Sequence, residues 1–272
     1  MAIYDNIGLT YAEFRRPDER IAAAIASALG DATSVVNVGA GTGSYEPIDR
    51  DVIAVEPSEV MIRQRPVGAA PCLQASAEEL PLESGSVDAA MAVLTVHHWT
   101  DFARGLSEMA RVARKRIVVL TWVPDSPPFW LTRDYFPEIT TNDVGIFPTS
   151  DKLLAKVEQA IGRASISTVP VPHDCTDGFL GAFWRRPEAY LSAGVRSAMS
   201  CFAKFDAEPG LTKLRADLLS GRWAEGNAEL LGLEALDLGY RILCCELVPG
   251  ARTGATEPGP IQPPQNQRPT HR

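Results

Sequence analysis

The stretch Val35-Val36-Asn37-Val38-Gly39-Ala40-Gly41-Thr42-Gly43 decides the fold. Its β-branched start suits a buried strand. It then passes directly into three glycines at alternate positions. Glycine has no Cβ and tolerates positive φ, so such a turn lets bare backbone approach a ligand. A second β-branched run, Val52-Ile53-Ala54-Val55, ends in Glu56. An acid about 20 residues beyond a glycine turn can accept both hydroxyls of a ribose held over it. The first half of the chain therefore reads as a site for a ribose-bearing cofactor.

Two cofactor classes compete for this turn. A dinucleotide turn has the form G-x-G-x-x-G and opens a helix whose N-terminus holds a pyrophosphate. Here the third glycine falls one place early, and Ser44-Tyr45-Glu46-Pro47 follows. That segment is short, acidic and interrupted by proline, a poor cradle for an anion. A cofactor without phosphates fits better, and a nucleotide-linked oxidoreductase is the rival.

Further segments add to the picture: VIAVEPS, ASAEELPLESGSVDAAMAV and HHWTD. Together with the glycine turn, and in this order, they resemble the class I S-adenosylmethionine-dependent methyltransferases, in particular the small-molecule branch that includes the ubiquinone-biosynthesis type. The motifs lie within residues 35–125, and the succession of strands extends the likeness to about residue 248. The resemblance implies S-adenosylmethionine (SAM) as cofactor. It assigns the methionine and ribose to Asn37 and to Gly39, Ala40, Gly41, Thr42 and Gly43. It gives the ribose hydroxyls to Glu56, with Pro57 and Met61 beside it, and the adenine to Ser76, Ala77 and Glu78. Val93 to His98, including Leu94, would line the methyl-transfer site. Tyr11 and Arg16 would reach the cofactor from an N-terminal arm that folds over it as a lid; a surface helix packed on the core is the alternative for that arm.

The chain departs from the family pattern in three places. Asn37 stands where the family has an acid, and Ser76 where it often has an aspartate. Neutral groups hydrogen-bond less strongly there. Between Val38 and Val52 there is barely the dozen residues that a parallel crossover needs. A stub of helix, or none, is expected, with an open cofactor edge. These departures keep a non-catalytic SAM-fold binding protein in view beside an enzyme.

Composition bounds the rest. The chain has 272 residues, 45% of them hydrophobic, enough for a sizeable core in one domain with an appended cap. Its net charge of −8 argues against nucleic acid, whose phosphates call for Lys and Arg. No apolar run is long enough to span a bilayer, and Met1–Thr10 lacks the pattern of a signal peptide. Five cysteines, none in a C-x-x-C pair, suit reduced thiols in a cytoplasmic protein. Adjacent Cys244 and Cys245 should face opposite sides of a strand. No histidine spacing suggests a metal. A monomer or homodimer acting on a small molecule is expected.

The periodicities predict an α/β, Rossmann-like, doubly wound sheet. Strands are expected at 35–38, 52–55, 71–74, 87–93, 116–122, 164–171 and 240–247. Helices are expected near 58–64, 101–113 and 151–161, with an earlier one from Pro17-Asp18 to Gly30. By resemblance the strand order is 3-2-1-4-5-7-6 with the last strand antiparallel. One methyltransferase domain would span residues 1–248, its first 32 residues forming the lid and helix. Residues 123–149 and 173–238 exceed a bare core and should form a substrate cap, the second as helices between strands six and seven. The Pro/Gly/Gln-rich segment 249–272 reads as a disordered tail.

Methyl transfer from a sulfonium is an in-line displacement that positioning serves above all. A base could also take a proton from the acceptor. The candidates are His97 and His98 after strand four, and His173 after strand six with Asp174 and Asp177 near. Trp122, Trp130, Tyr135, Phe183, Trp184 and Tyr190 could clamp a planar acceptor or fill the core of the cap. Arg185-Arg186 could hold a carboxylate or lie on the surface. The aromatic content and scarcity of lysine favour a small, apolar or heteroaromatic acceptor, such as one of secondary metabolism.

Overall fold

The computed structural model describes residues 14–143 and 146–247. Tyr11 and the segment 249–272 lie outside the described residues. Helix α1 (Glu19–Leu29) starts at Asp18, whose side chain accepts from the Arg20 N–H, and ends at Gly30 with φ 56°. Strand β1 (Ser34–Val38) follows, then β2 (Asp51–Val55), α2 (Glu59–Arg63), β3 (Cys72–Leu73) and β4 (Val87–Val93). Helix α3 (Phe102–Val112) is capped by Asp101 and runs straight into β5 (Ala113–Trp122). Next come α4 (Pro137–Asp143), α5 (Ser150–Ala160) and β6 (Ala164–Thr168). A ribbon strand β7 (Val171–Pro172) leads into α6 (Ala193–Ser197), α7 (Glu208–Ser220) and α8 (Arg222–Gly226). The ribbon partner β8 (Ala235–Leu236) and the last strand β9 (Tyr240–Glu246) close the fold.

The main sheet has the order β3-β2-β1-β4-β5-β9-β6. Strands β1 to β5 pair in parallel, and β9 pairs antiparallel to both β5 and β6. With β9 as the seventh strand of the sheet, this is the expected order. The sixth strand is shorter than its sequence suggests. It stops at Thr168, and Val171–Pro172 turns away to pair with Ala235–Leu236 as a separate ribbon. The short crossover from Val38 to Asp51 contains turns and no helix.

Side chains that alternate along each strand build two apolar layers. Val35, Ala89, Met91 and Val118 pack under α1 through Ile21, Ile25 and Leu29. Val36, Val38, Ala90 and Ile117 pack under α3 and α5 through Leu106, Met109, Leu153 and Val157. Cys245 joins this second layer and Cys244 lies against the first, so the pair does face opposite sides. A third cluster stands apart. Trp130, Leu131 and Phe136 from the first long excursion pack with Tyr190, Leu214 and Trp223 from the second. The two excursions thus share a core of their own. Among the described residues no helix is long and apolar enough to cross a membrane.

Candidate active site

The glycine turn leaves β1 with Gly39, Gly41 and Gly43 all at positive φ. Each glycine is required locally. A Cβ at Gly39 would lie 2.2 Å from Thr95 Oγ1, so the turn after β1 presses against the loop after β4. At Gly41 it would reach Met61 Cε at 3.4 Å, and at Gly43 Glu46 Oε2 at 3.2 Å. The backbone N–H groups of the turn are already engaged. Gly39 and Ala40 donate to Val55 O at 2.8 and 3.0 Å, and Gly43 donates to Ala40 O at 2.9 Å. Gly41 donates to Glu56 Oε2 at 2.8 Å.

Glu56, at the carboxyl end of β2, is 6% exposed. Its other oxygen accepts from the Ser58 N–H at 2.9 Å. A carboxylate oxygen can accept more than one hydrogen bond, the chemistry that a ribose hydroxyl calls for. Asn37 is buried beneath the turn and donates from Nδ2 to Glu46 Oε1 at 3.1 Å, while its own Oδ1 is buried without a donor. Glu46 in turn accepts from Arg65 Nη2 at 2.8 Å. The acid missing at position 37 is thus placed nine residues later in sequence and beside Asn37 in space.

These groups fit SAM and not a pyrophosphate. Four N–H groups of the turn are spent, no helix opens at it, and a carboxylate flanks it, so nothing there would hold a phosphate. A donor bearing a ribose and a cationic sulfonium meets acceptors instead: Glu56, and the unpaired Oδ1 of Asn37.

Other residues expected at the cofactor are placed as follows. Met61 is buried under the turn, while Pro57 and Ser76 are exposed and Ala77 is buried. Glu78 Oε1 accepts from Thr100 N, Thr100 Oγ1 and Asp101 N at 2.8, 2.9 and 3.2 Å. Burial opposes its ionisation, but these donors outweigh that and hold its carboxyl below the usual range. Glu78 therefore serves the start of α3 rather than pointing an acid at adenine. Arg16 is exposed, whereas its neighbour Arg15 turns inward. Arg15 Nε donates to Asp177 Oδ1 at 2.7 Å, and the Tyr45 hydroxyl donates to Asp177 Oδ2 at 2.8 Å. Burial and the Asp177 charge push the Tyr45 phenol well up, so it stays a donor.

Beyond the turn, a cavity of about 610 Å³ opens between the sheet and the cap. Leu94, at the end of β4, lines it with the unusual φ of 51°. A left-handed conformation is costly for a branched side chain and marks a constrained position. The 3₁₀ turn Val96–His98 follows and brings both His97 and His98 to the wall. Their ring centroids are 3.8 Å apart, and the His97 ring packs against Phe147 at 4.9 Å. Burial pushes His97 down to about 3, with the charges of His98, Lys204 and Arg15 adding to it. Burial, then Lys204, pushes His98 down to about 4. Both imidazoles are neutral over the physiological range.

His173 is elsewhere. It follows β7 in the ribbon, its N–H bonds Glu234 O at 2.9 Å, and its Nε2 lies 3.4 Å from Glu234 Oε2. The turn of the chain into the ribbon at residue 171 carries it away from the cavity wall. Asp177 is fully buried in its network with Arg15 and Tyr45, with no face toward an acceptor.

The aromatic wall also differs from the sequence reading. Phe129 and Trp122 line the cavity, with Phe147, Phe179 and Tyr240. Trp130, Trp184 and Tyr190 are instead buried in the protein core and tied to backbone carbonyls. Arg185 and Arg186 donate to the carbonyls of Leu233 and Ala182 and brace the cap. Sequence reasoning left Lys204 and Tyr240 out of the site, and neither carries a local signal. Among the described residues no group of three His, Cys, Asp or Glu could hold a metal, and none of the five cysteines is in a disulfide.

A methyltransferase-domain family model matches residues 36–120. An uncharacterized methyltransferase of Mycobacterium tuberculosis and one of Mycobacterium bovis are each 39% identical over 89 residues, covering 30% of this chain and 36% of theirs. The chain thus matches about a third of the length of these curated relatives. Among solved structures, a protein of Anabaena variabilis, assigned as a methyltransferase from an antibiotic biosynthesis pathway, is 35% identical. That match covers 85% of this chain and 98% of that one, with a TM-score of 0.79. The cyclase SpnF, 17% identical with a TM-score of 0.50 over 84% of this chain and 80% of its own, shares the fold alone.

Proposed function

The chain belongs to the class I S-adenosylmethionine-dependent methyltransferases, and on that premise we propose that it methylates a small, apolar or heteroaromatic molecule held in the cavity beneath the cap. The observation that carries this reading is the cavity itself. Its wall includes Leu94, His97 and His98, at the end of β4, where the resemblance places the reacting methyl group. Its volume of about 610 Å³ falls in the range of small-molecule sites. The likeness to a protein assigned to antibiotic biosynthesis supports an acceptor from secondary metabolism.

SAM supplies a methyl group on a sulfonium, which leaves as the neutral thioether once an acceptor lone pair takes the carbon. Glu56 fixes the ribose, and the Gly39–Thr95 contact fixes the turn against the loop after β4. The aromatic wall orients the acceptor and keeps water out, and orientation of this kind supplies much of the rate. His97 and His98 line the wall beside the acceptor as neutral imidazoles. Imidazoles titrating near 3 and 4 are weak bases. They suit an acceptor that reaches the cavity already ionised or that needs no base.

Incubation of the full chain with methyl-labelled SAM and an extract of small metabolites tests the reading. Expected is a labelled small molecule formed in step with S-adenosylhomocysteine (SAH). Tight binding of SAH without label transfer to any small molecule would instead mark a binding protein.

A further inference from the structure

The wall of the cavity has a charge pattern unlike the rest of the chain. The protein carries 34 Asp and Glu against 26 Lys and Arg. Yet Arg15, Arg133 and Lys204 line the cavity and, among the described residues, no Asp or Glu does. Two of these cations are already matched. Arg15 pairs with Asp177 at 2.7 Å and Arg133 with Asp134 at 2.7 Å. Lys204 forms no ion pair with any described carboxylate.

Lys204 ends the 3₁₀ turn Ser200–Lys204 of the cap. It lines both the main cavity and a smaller one of about 280 Å³, which also shares Pro137 and Thr141 with it. Lys204 therefore stands where the two spaces meet. Glu138 lines the smaller space without pairing to it. Lys204 is solvent-exposed and shares the wall of the main cavity with His97 and His98, beside which methyl transfer is placed. A cleft lined by one sign of charge raises the local concentration of the opposite sign. A phosphate dianion would call for several free donors or an open guanidinium fork. Here both arginines are engaged and a single ammonium remains, which matches a monoanion.

We propose that the acceptor is an apolar or aromatic monoanion, such as an aryl carboxylate, and that Lys204 receives its charged group at the junction of the two cavities. This rests on the methyl-transfer reading and narrows its substrate class. The apolar frame lies against Trp122, Phe129 and Phe147, and the anion faces outward to the lysine.

The test is calorimetric titration of the full chain saturated with SAH, using 2-naphthoate and its uncharged analogue 2-naphthamide. At low salt the acid should bind ~2–5-fold tighter than the amide, the scale of a single ion pair at an exposed site. Lys204→Met should remove this preference while leaving 2-naphthamide affinity as it was. Arg133→Met should keep it, because that charge is already matched. Absence of 2-naphthoate binding, equal binding of the two probes, or a preference that survives Lys204→Met each overturns the proposal. The SAH titration separates the two readings. Failure to bind SAH sinks the methyltransferase function, whereas SAH binding without a preference for the acid sinks only this inference.

Discussion

The glycine-turn edge and the cavity under the cap face each other across the end of β4 and are built in opposite ways. At the turn, backbone N–H groups and two carboxylates, Glu56 and Glu46, fix each other through contacts that begin within a few dozen residues of sequence. In the cavity the wall is aromatic, its charges are cationic, and its parts come from residues as far apart as Arg15 and Tyr240. The contrast matches the two reactants. On the proposed reading a sulfonium donor is received by acceptors and acids, and no described acid lines the opposite side. A buried polar tie between the halves is Asp177, which accepts from Tyr45 in the turn segment and from Arg15 in the cavity wall.

The largest effect is therefore expected from breaking that tie. Asp177→Ala leaves the Arg15 side chain, 9% exposed, and the Tyr45 hydroxyl without their acceptor. Removing one partner of a buried pair costs about 3–5 kcal/mol, and urea unfolding should register a loss of that order. A loss below ~1 kcal/mol, the scale of a surface pair, would mean that the turn and the cavity are independent.

Glu56→Ala probes the turn alone. It removes the acceptor for the Gly41 and Ser58 N–H groups and, on the present reading, for the ribose. SAH affinity should fall by about 1.5–3 kcal/mol, the range for hydrogen bonds to a charged group, with circular dichroism unchanged. Unchanged affinity in a folded variant would remove the ribose from Glu56 and with it half of the contrast.

The two regions also differ in how far the sequence alone describes them. Val35–Gly43 and Val52–Glu56 announce strand, turn and acid because each contact needs only local geometry and a near neighbour. The bounds of α1 and α3 and the lack of a helix between Gly43 and Asp51 follow from the same short-range logic, whereas the sheet order is implied by the family resemblance. The cap does not. Phe129 and Trp130 are adjacent aromatics of similar character, yet Phe129 lines the cavity and Trp130 is core. Which of them turns inward depends on Tyr190 and Trp223, 60 or more residues away, packing against the second. Arg15 and Arg16 differ in the same way, since the choice was made by Asp177. His173 lies outside the cavity because the chain turns from the sheet into the β7–β8 ribbon, a two-residue pairing too short to leave a periodic signal.

The smallest effect concerns the histidines and separates the two sides by pH. Burial holds the folded-state values near 3 for His97 and near 4 for His98, against an ordinary value of 6.5. Below pH 6.5 the unfolded chain binds protons at both positions while the folded chain does not until near pH 4. Their contribution to stability is therefore full above about pH 6.5 and is lost as pH falls toward the folded values. Both rings keep some contact with solvent, which tempers the effect. Between pH 7 and 5 the protein should lose roughly 1–2 kcal/mol more stability than a His97→Gln, His98→Gln double variant, measured by urea unfolding at each pH. SAH affinity, which depends on Glu56 and not on these rings, should be the same in both proteins at each pH. Once an acceptor is known, turnover at saturation should be flat from pH 6 to 8, since neither histidine titrates there. A rise in turnover centred near pH 6.5 and absent from the double variant would show an imidazole restored to ordinary basicity by the bound acceptor. It would then work as a base, and the cavity could not be read as a place for acceptors that arrive ionised.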